Sequence, residues 1–386
     1  MLRVGLTGGI ACGKSRVVAR LASAGLPVID LDVVSHEMMS RDGSAVAEVV
    51  GAFGPGIRAA DGGIDRKALG AVVFSDAVAR GRLNAILHPR IRAEEARRAA
   101  ALQAAPMVVT DGALLVEAGV HLRFDRLVVV HCVPDAQLRR LTERDRIGES
   151  AARARIEAQM PLDEKRRYAH IAVDTSGTEA ETDAKADRLA ADLRALAGAR
   201  PQRVKVPTER ALGVLLHGPR RGPRGLDPMP LLHEITGAGS GGLEMERVSR
   251  LLVPPAEGPW YRAARDREGD PGPEALAAPV ALWALSRAGL DRDFLAAVAF
   301  SLARLTHVEG CRLATACLYA LAVGELAASG HAPGDLGPLE RLAETWGGVA
   351  VPDPPRAELP RGLEAMAAPV HPAECDPRLR DLLERL

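Results

Sequence analysis

The sequence predicts an α/β chain, a parallel five-stranded sheet with helices on both faces over the first 200 residues, followed by a C-terminal all-α domain. Three observations carry this. Short apolar runs alternate with helical patterns across residues 1–198, the order that parallel strands need because each parallel pair requires a long crossover. A glycine-rich loop follows the first apolar run, where a strand should pass into a helix. Beyond residue 198 the alternation stops, and from about residue 274 apolar spacing near 3.6 residues takes over.

Residues 2–7, 26–30, 107–111, 127–132 and 171–174 read as strands, and helices are expected at 15–24, 65–105, 135–144, 151–159 and 179–197. The run Gly198-Ala199-Arg200-Pro201 opens a region rich in Pro and Gly and marks a domain boundary. Residues 199–273 read as linker and irregular chain, because 217–230 and 253–273 carry too many helix breakers for regular structure. A helical domain follows at 274–350, with helices at 274–288, 293–305 and 309–328 that stop at Gly330 and Pro333. The Pro-rich residues 351–386 read as a loosely packed tail.

Composition removes several functional classes. The 386 residues hold 50 basic and 50 acidic side chains, so no strong field favours a nucleic-acid or membrane partner. Only 3% of residues are aromatic, too few for base-stacking platforms. The five cysteines, Cys12, Cys132, Cys311, Cys317 and Cys375, form no CxxC pair and fit a reducing compartment. The N-terminus runs straight into a strand without a basic and apolar leader, and no run of 18 apolar residues occurs, which predicts a cytoplasmic chain. The sequence assigns no oligomeric state.

The run Gly8-Gly9-Ile10-Ala11-Cys12-Gly13-Lys14-Ser15 matches GxxxxGK[ST]. Glycines at 8 and 13 let backbone N–H groups turn onto an anion, and a helix starting near Lys14 adds the positive end of its dipole. Lys14 can then reach the β and γ phosphates of ATP, and Ser15 offers a hard oxygen to Mg²⁺. Asp30-Leu31-Asp32 closes the second strand, where an open α/β sheet presents groups to its ligand. Alternation along a strand would put both carboxylates on one face. Asp32 then reads as a general base or a Mg²⁺ ligand through water, and the alternative is a helix N-cap.

Seven motifs in order, VGLTGGIACGKSRV, VIDLDVVSHEM, GGIDRKALGAVVFSD, RLNAILHPRIR, VVTDGALLVEAG, QLRRLTERD and ARIEAQMPLDEKRRYAH, resemble the dephospho-CoA kinase family over about residues 1–198. The resemblance implies phosphorylation by ATP of the ribose 3′-hydroxyl of dephospho-CoA. It also implies a fold similar to the P-loop nucleoside monophosphate kinases, with a substrate-binding helical insert at about 35–105 and a lid at about 135–168. The family's loop falls on Gly8 to Arg16, and its acidic residue after the second strand falls on Asp32. Its CoA-binding pattern falls on Asp65, Arg66, Asn84 and His88, and its LLxE run ends on Glu117. Its lid pattern falls on Gln137, Arg140, Leu141 and Arg144, with Lys165 after the Gln159-Met160 match. Arg140 and Arg144 stand four apart on one helix face and could both reach ATP phosphates from a closing lid. The chain departs from the family at Arg16, Ala113, His170 and Thr175, and the last two are expected near the adenine.

Cys12 sits in the anion loop beside Lys14 and a helix N-terminus, surroundings that lower a thiol's pKa, so one reading is that its oxidation or alkylation blocks ATP binding, and the other is a small residue that fills a small slot. In the second domain, residues 279–285 and the run through Thr306-His307 resemble the helical core of ADP-ribosylglycohydrolases over some 50 residues, without the Asp-rich motifs by which that family holds metal. That resemblance implies a degenerate remnant that is not a hydrolase, and the alternative is a helical packing or scaffolding module. Two other functions stay open on the sequence: a regulatory protein that binds or hydrolyses a nucleoside triphosphate, and a kinase for another nucleotide-like acceptor.

Overall fold

A computed structural model describes residues 1–199, 277–305, 307 and 309–367, with the single positions 206, 211 and 215. Most of the expected linker, the last nineteen residues of the expected tail and Thr306 lie outside the described residues. The sheet comprises β1 (Leu2–Gly8), β2 (Val28–Asp30), β3 (Met107–Asp111), β4 (Arg126–His131) and β5 (Ile171–Asp174). Its order is β2-β3-β1-β4-β5 and every pair is parallel.

Helix α1 (Lys14–Ser23) follows β1, and α2 (Leu31–Met39), α3 (Val46–Phe53), α4 (Arg66–Ser75) and α5 (Ala77–Ala101) build the insert. The long helical region expected at 65–105 consists of two helices. Asp76 adopts an extended backbone and its carboxylate accepts from Val78 and Ala79 N–H at 2.8 and 3.1 Å, which ends one helix and caps the next. Helices α6 (Pro134–Asp145), α7 (Glu149–Glu157) and α8 (Leu162–Arg166) lie between β4 and β5, and α9 (Glu179–Gly198) closes this half. The bundle behind it consists of α10 (Ala277–Ala288), α11 (Arg292–Ala303), α12 (Gly310–Ser329), α13 (Gly337–Gly347) and α14 (Asp353–Met366).

Strand alternation decides what covers each face of the sheet. Val128 and Val130 of β4 join Val4 and Leu6 of β1 against Val17 and Leu21 of α1 and Leu189 and Leu193 of α9. The intervening Leu127 and Val129 point to the other face, where they share one buried cluster with Phe124, Tyr168 and the core of the bundle. The close approach shows at Gly5, where a Cβ would stand 2.5 Å from the Phe124 ring. Each buried Leu, Val or Phe in such a core contributes about 1.5–3 kcal/mol.

Within the bundle α12 is the central helix, touched by α10, α11, α13 and α14. It is long and apolar enough to cross a membrane, yet 78% of its apolar window is buried inside the protein. Helix α14 corrects the expected loose tail: Leu359, Leu363 and Met366 repeat at helical spacing and are buried. Its prolines misled because those at the start occupy the first helical turn, where a missing N–H costs nothing.

Polar groups fix how the two halves meet. Arg126 at the start of β4 makes a bidentate pair with Asp291 at 2.7 and 3.0 Å, and both side chains are 8% exposed. The same carboxylate caps α11 by accepting from Phe294 N–H at 3.1 Å. His121 Nε2 lies 3.3 Å from Ser301 Oγ, and the Tyr168 ring stands edge-on between His121 and Phe300 at 5.2 and 5.7 Å.

Two outcomes are expected. Asp291→Ala leaves Arg126 in the interface with only the Asp125 carbonyl at 2.8 Å and the exposed Asp293 carboxylate at 3.9 Å, and should cost about 3 kcal/mol in urea unfolding of the full chain, the lower end for a broken buried pair. Burial also holds His121 neutral down to a pKa of about 3, and holds His170 well below the usual range. The unfolded chain takes up these protons below about pH 6.5 and the folded chain does not, so stability is complete above that pH and falls toward pH 3. The slope should reach about 1.4 kcal/mol per pH unit for each histidine, and His121→Gln should remove one share of it.

Candidate active site

The carboxyl ends of the strands gather the chemistry at one edge of the sheet. The phosphate loop leaves β1 at Gly8, where a Cβ would come within 2.5 Å of the Val130 carbonyl oxygen of β4, so only glycine fits. Gly13 needs its freedom for a different reason, a left-handed backbone with φ of 76° that caps α1. Ala11 takes the same left-handed region with φ of 58°. Side chains from α6 and the turn before α8 hold the loop at Ile10: Gln159 Oε1 accepts from its N–H at 2.8 Å and Gln137 Nε2 donates to its carbonyl at 2.9 Å.

Lys14 opens α1, and its Nζ pairs with Asp111 Oδ1 at 2.5 Å. Asp111 ends β3 and is nearly buried, which raises its pKa above the usual carboxylate range, with Lys14 opposing the rise and Asp30 and Asp32 adding to it. Three carboxylates therefore share the neighbourhood of one ammonium. Asp30 and Asp32 do not alternate along a strand as expected, because β2 ends at Asp30 and α2 begins at Leu31. The two have divided the roles that sequence reasoning weighed for the pair. Asp30 caps α2 by accepting from Asp32 and Val33 N–H at 2.8 and 3.0 Å. Asp32 stands exposed in the first turn, and no hydrogen bond or ion pair among the described residues takes its carboxylate. Ser15 is exposed one residue after Lys14.

On α6, Arg140 donates to the Thr175 carbonyl at 2.7 Å and lies 3.4 Å from that of Gly177, both in the loop after β5. Thr175 in turn donates its hydroxyl to Cys12 O in the phosphate loop at 2.7 Å. Arg144, one turn further, is exposed and paired with Asp145 at 2.7 Å. Lys165 is fully buried, with Nζ 2.7 Å from Glu117 Oε1 and donating to the Ala113 carbonyl at 3.0 Å. Glu117, expected to contact substrate, is thus spent on a lysine.

The expected substrate residues lie on the insert. Asp65 caps α4 by accepting from Lys67 and Ala68 N–H at 2.9 and 3.0 Å. Arg66 Nη1 lies 3.1 Å from His36 Nδ1, Asn84 is exposed on α5, and His88 is half-buried one turn on. Arg16 joins α1 to α9, with a bidentate bond to Asp183 at 2.6 and 2.8 Å and a contact to Glu179 at 2.6 Å. Its guanidinium is engaged by that helix and not by the phosphate loop.

Cys12 follows the second of its two readings, and the expectation for His170 fails. Cys12 is fully buried with its thiol 3.5 Å from that of Cys132, and it packs with Cys132, Ala136 and Leu162. The hydrogen bond to Cys132 and burial push the Cys12 thiol up, the reverse of an activated thiolate, because the side chain turns away from the anion cradle. His170 does not lie near the nucleotide edge. It precedes β5 at the opposite end of the sheet, where Nδ1 accepts from Leu127 N–H at 3.0 Å and its ring meets Trp346 of α13 edge-on at 5.4 Å. Asp111 was missed as a site residue, although its place at the end of a central strand was the available signal.

The N-terminal half of the chain is similar to known proteins. The dephospho-CoA kinase family matches residues 2–181. The Anaeromyxobacter dehalogenans dephospho-CoA kinase is 44% identical over 200 residues, covering 51% of this chain and 94% of that one. The Geobacter metallireducens dephospho-CoA kinase is 46% identical over 185 residues, covering 47% of this chain and 92% of that one. A crystal structure from Thermus thermophilus is 32% identical, covers 50% of this chain and 97% of that one, and superposes with a TM-score of 0.45. Through its N-terminal half, the chain belongs to the dephospho-CoA kinase family.

Proposed function

We propose that this chain moves the γ-phosphoryl group of ATP onto the ribose 3′-hydroxyl of dephospho-CoA, giving coenzyme A and ADP in the last step of coenzyme A synthesis. The observation that carries the reading is the division of labour at the strand ends. Asp30 takes the helix cap, Asp111 takes Lys14, and Asp32 keeps its carboxylate available beside a phosphate loop. Family membership supplies the acceptor.

Phosphoryl transfer asks a protein mainly for position and charge cancellation. The backbone of Gly8 to Gly13 cradles the phosphates, and Lys14 leaves Asp111 for the more highly charged triphosphate. Ser15, with Asp32 through a water, supplies the hard oxygen donors that suit Mg²⁺, which when bound cancels phosphate charge. Asp32 takes the proton of the attacking hydroxyl. Arg140 holds the loop after β5 against the phosphate loop through Thr175. Arg144 reaches the phosphates when the lid at about 135–168 closes. Asp65, Arg66, Asn84 and His88 face the CoA moiety from the insert.

The four described cysteines are free thiols, and with ATP as donor they support a cytoplasmic location. For the helical bundle we read a packing role, supported by the core it shares with β4.

The direct test is ATP consumption that depends on dephospho-CoA, with a 3′-phosphorylated product by mass spectrometry. Slow hydrolysis indifferent to dephospho-CoA would instead mark a regulatory nucleotide-binding protein. Asp32→Asn should leave ATP affinity nearly unchanged and cut turnover at least ~100-fold, the scale of a general base. Steady-state kinetics beside calorimetric ATP binding separates the two effects, and a mutant with normal turnover removes Asp32 from the mechanism. Lys14→Met should weaken ATP binding itself by at least about tenfold, the loss of a charged hydrogen bond.

A further inference from the structure

Helix α8 is held from two sides. Toward the catalytic edge, Lys165 reaches Glu117 and the Ala113 carbonyl, and Gln159 just ahead of the helix holds Ile10 N–H. Leu162 lies so close to the phosphate loop that a Cβ on Gly9 would stand 2.9 Å from its Cδ2. Toward the bundle, Glu164 Oε1 lies 3.2 Å from Arg304 Nη2, just past the end of α11, and accepts from the Tyr168 hydroxyl at 3.3 Å. The Arg167 guanidinium lies 5.6 Å from the centroid of the Phe300 ring of α11. Arg304 is 11% exposed and Glu164 19%, so this pair is shielded in a way that a solvated surface pair is not.

Five residues cannot hold a helix by themselves, so the pose of α8 is decided by what it packs against. Glu164 and Lys165 are adjacent in the chain. A push on one is a push on the other.

We propose that Arg304 is a positioning residue for the kinase reaction: through Glu164 it sets α8, and α8 sets Lys165 and the phosphate loop. The bundle is then part of the kinase's working structure, with Phe300 as the apolar half of the same grip. This rests on the kinase reading above. Small displacements matter here because transfer depends on alignment of the reacting atoms, and a misplacement near 1 Å can cost about a hundredfold in rate.

The test uses the full chain with Arg304→Gln, Glu164→Gln, the double variant, and Asp291→Asn, which loosens the other end of the interface while keeping a cap on α11. Four quantities are measured: kcat, KM for ATP, calorimetric ATP affinity without acceptor, and the unfolding midpoint. Arg304→Gln should weaken ATP binding and raise its KM by about tenfold, the scale of a charged hydrogen bond. Glu164→Gln should do the same, and the double variant should be no worse than either single, because both remove one link. Asp291→Asn should lower the unfolding midpoint and leave KM where it was. Wild-type ATP affinity in Arg304→Gln overturns the proposal, and so does an Asp291→Asn variant that reproduces its kinetic effect. A wild-type chain that binds ATP but does not consume dephospho-CoA would overturn the kinase reading instead, and the Arg304 comparison would still be read on ATP affinity.

Discussion

The structure depends on the cover over one face of β4. A central parallel strand is apolar on both sides, and here Val128 and Val130 face α1 and α9 while Leu127 and Val129 face the helical bundle. Without α10 to α12, Phe124, Leu127 and Tyr168 would lose the apolar partners with which they share a core. The buried Arg126 and Asp291 pair adds direction to that contact, because two desolvated charges must meet in one geometry. The sheet and the bundle therefore hold each other.

From that cover the catalytic edge follows. A sheet held on both faces fixes where its strands end, and along those ends lie Asp30, Asp111, Gly8 and Thr175. Lys14 and Asp111 form a nearly buried pair at that edge, so the ammonium beside the phosphate loop is held largely out of water. The loop around it is braced by amide and hydroxyl groups, from Gln137, Gln159 and Thr175, which hold position without adding charge. Lys165 sits at the joint between the edge and the bundle.

Much of this was legible in the residues. The strands at 107–111 and 171–174 were readable to the residue because their runs are apolar, short and bounded by turns. The phosphate loop was readable because its glycines meet backbone demands that no other residue satisfies. Other features depended on distant partners. Asp30 and Asp32 read as a pair on one strand face, but the strand ends between them, and that one backbone change turns the pair into a cap and an available carboxylate. Cys12 misled because proximity in sequence to Lys14 says nothing about which way its side chain turns, and Cys132, 120 residues on, decides its environment. Helix α14 was hidden by its prolines, of which those in the first turn are harmless and Pro360 stands inside the helix. The meeting of Glu164 and Arg304 could not be read at all, because it depends on how two separately patterned halves dock.

The mutual dependence of sheet and bundle is tested most directly by scanning calorimetry of the full chain. One cooperative transition is expected, with calorimetric and van't Hoff enthalpies equal, because the two halves share a core and a buried ion pair. Two resolved transitions, one for the sheet and one for the bundle, would contradict it.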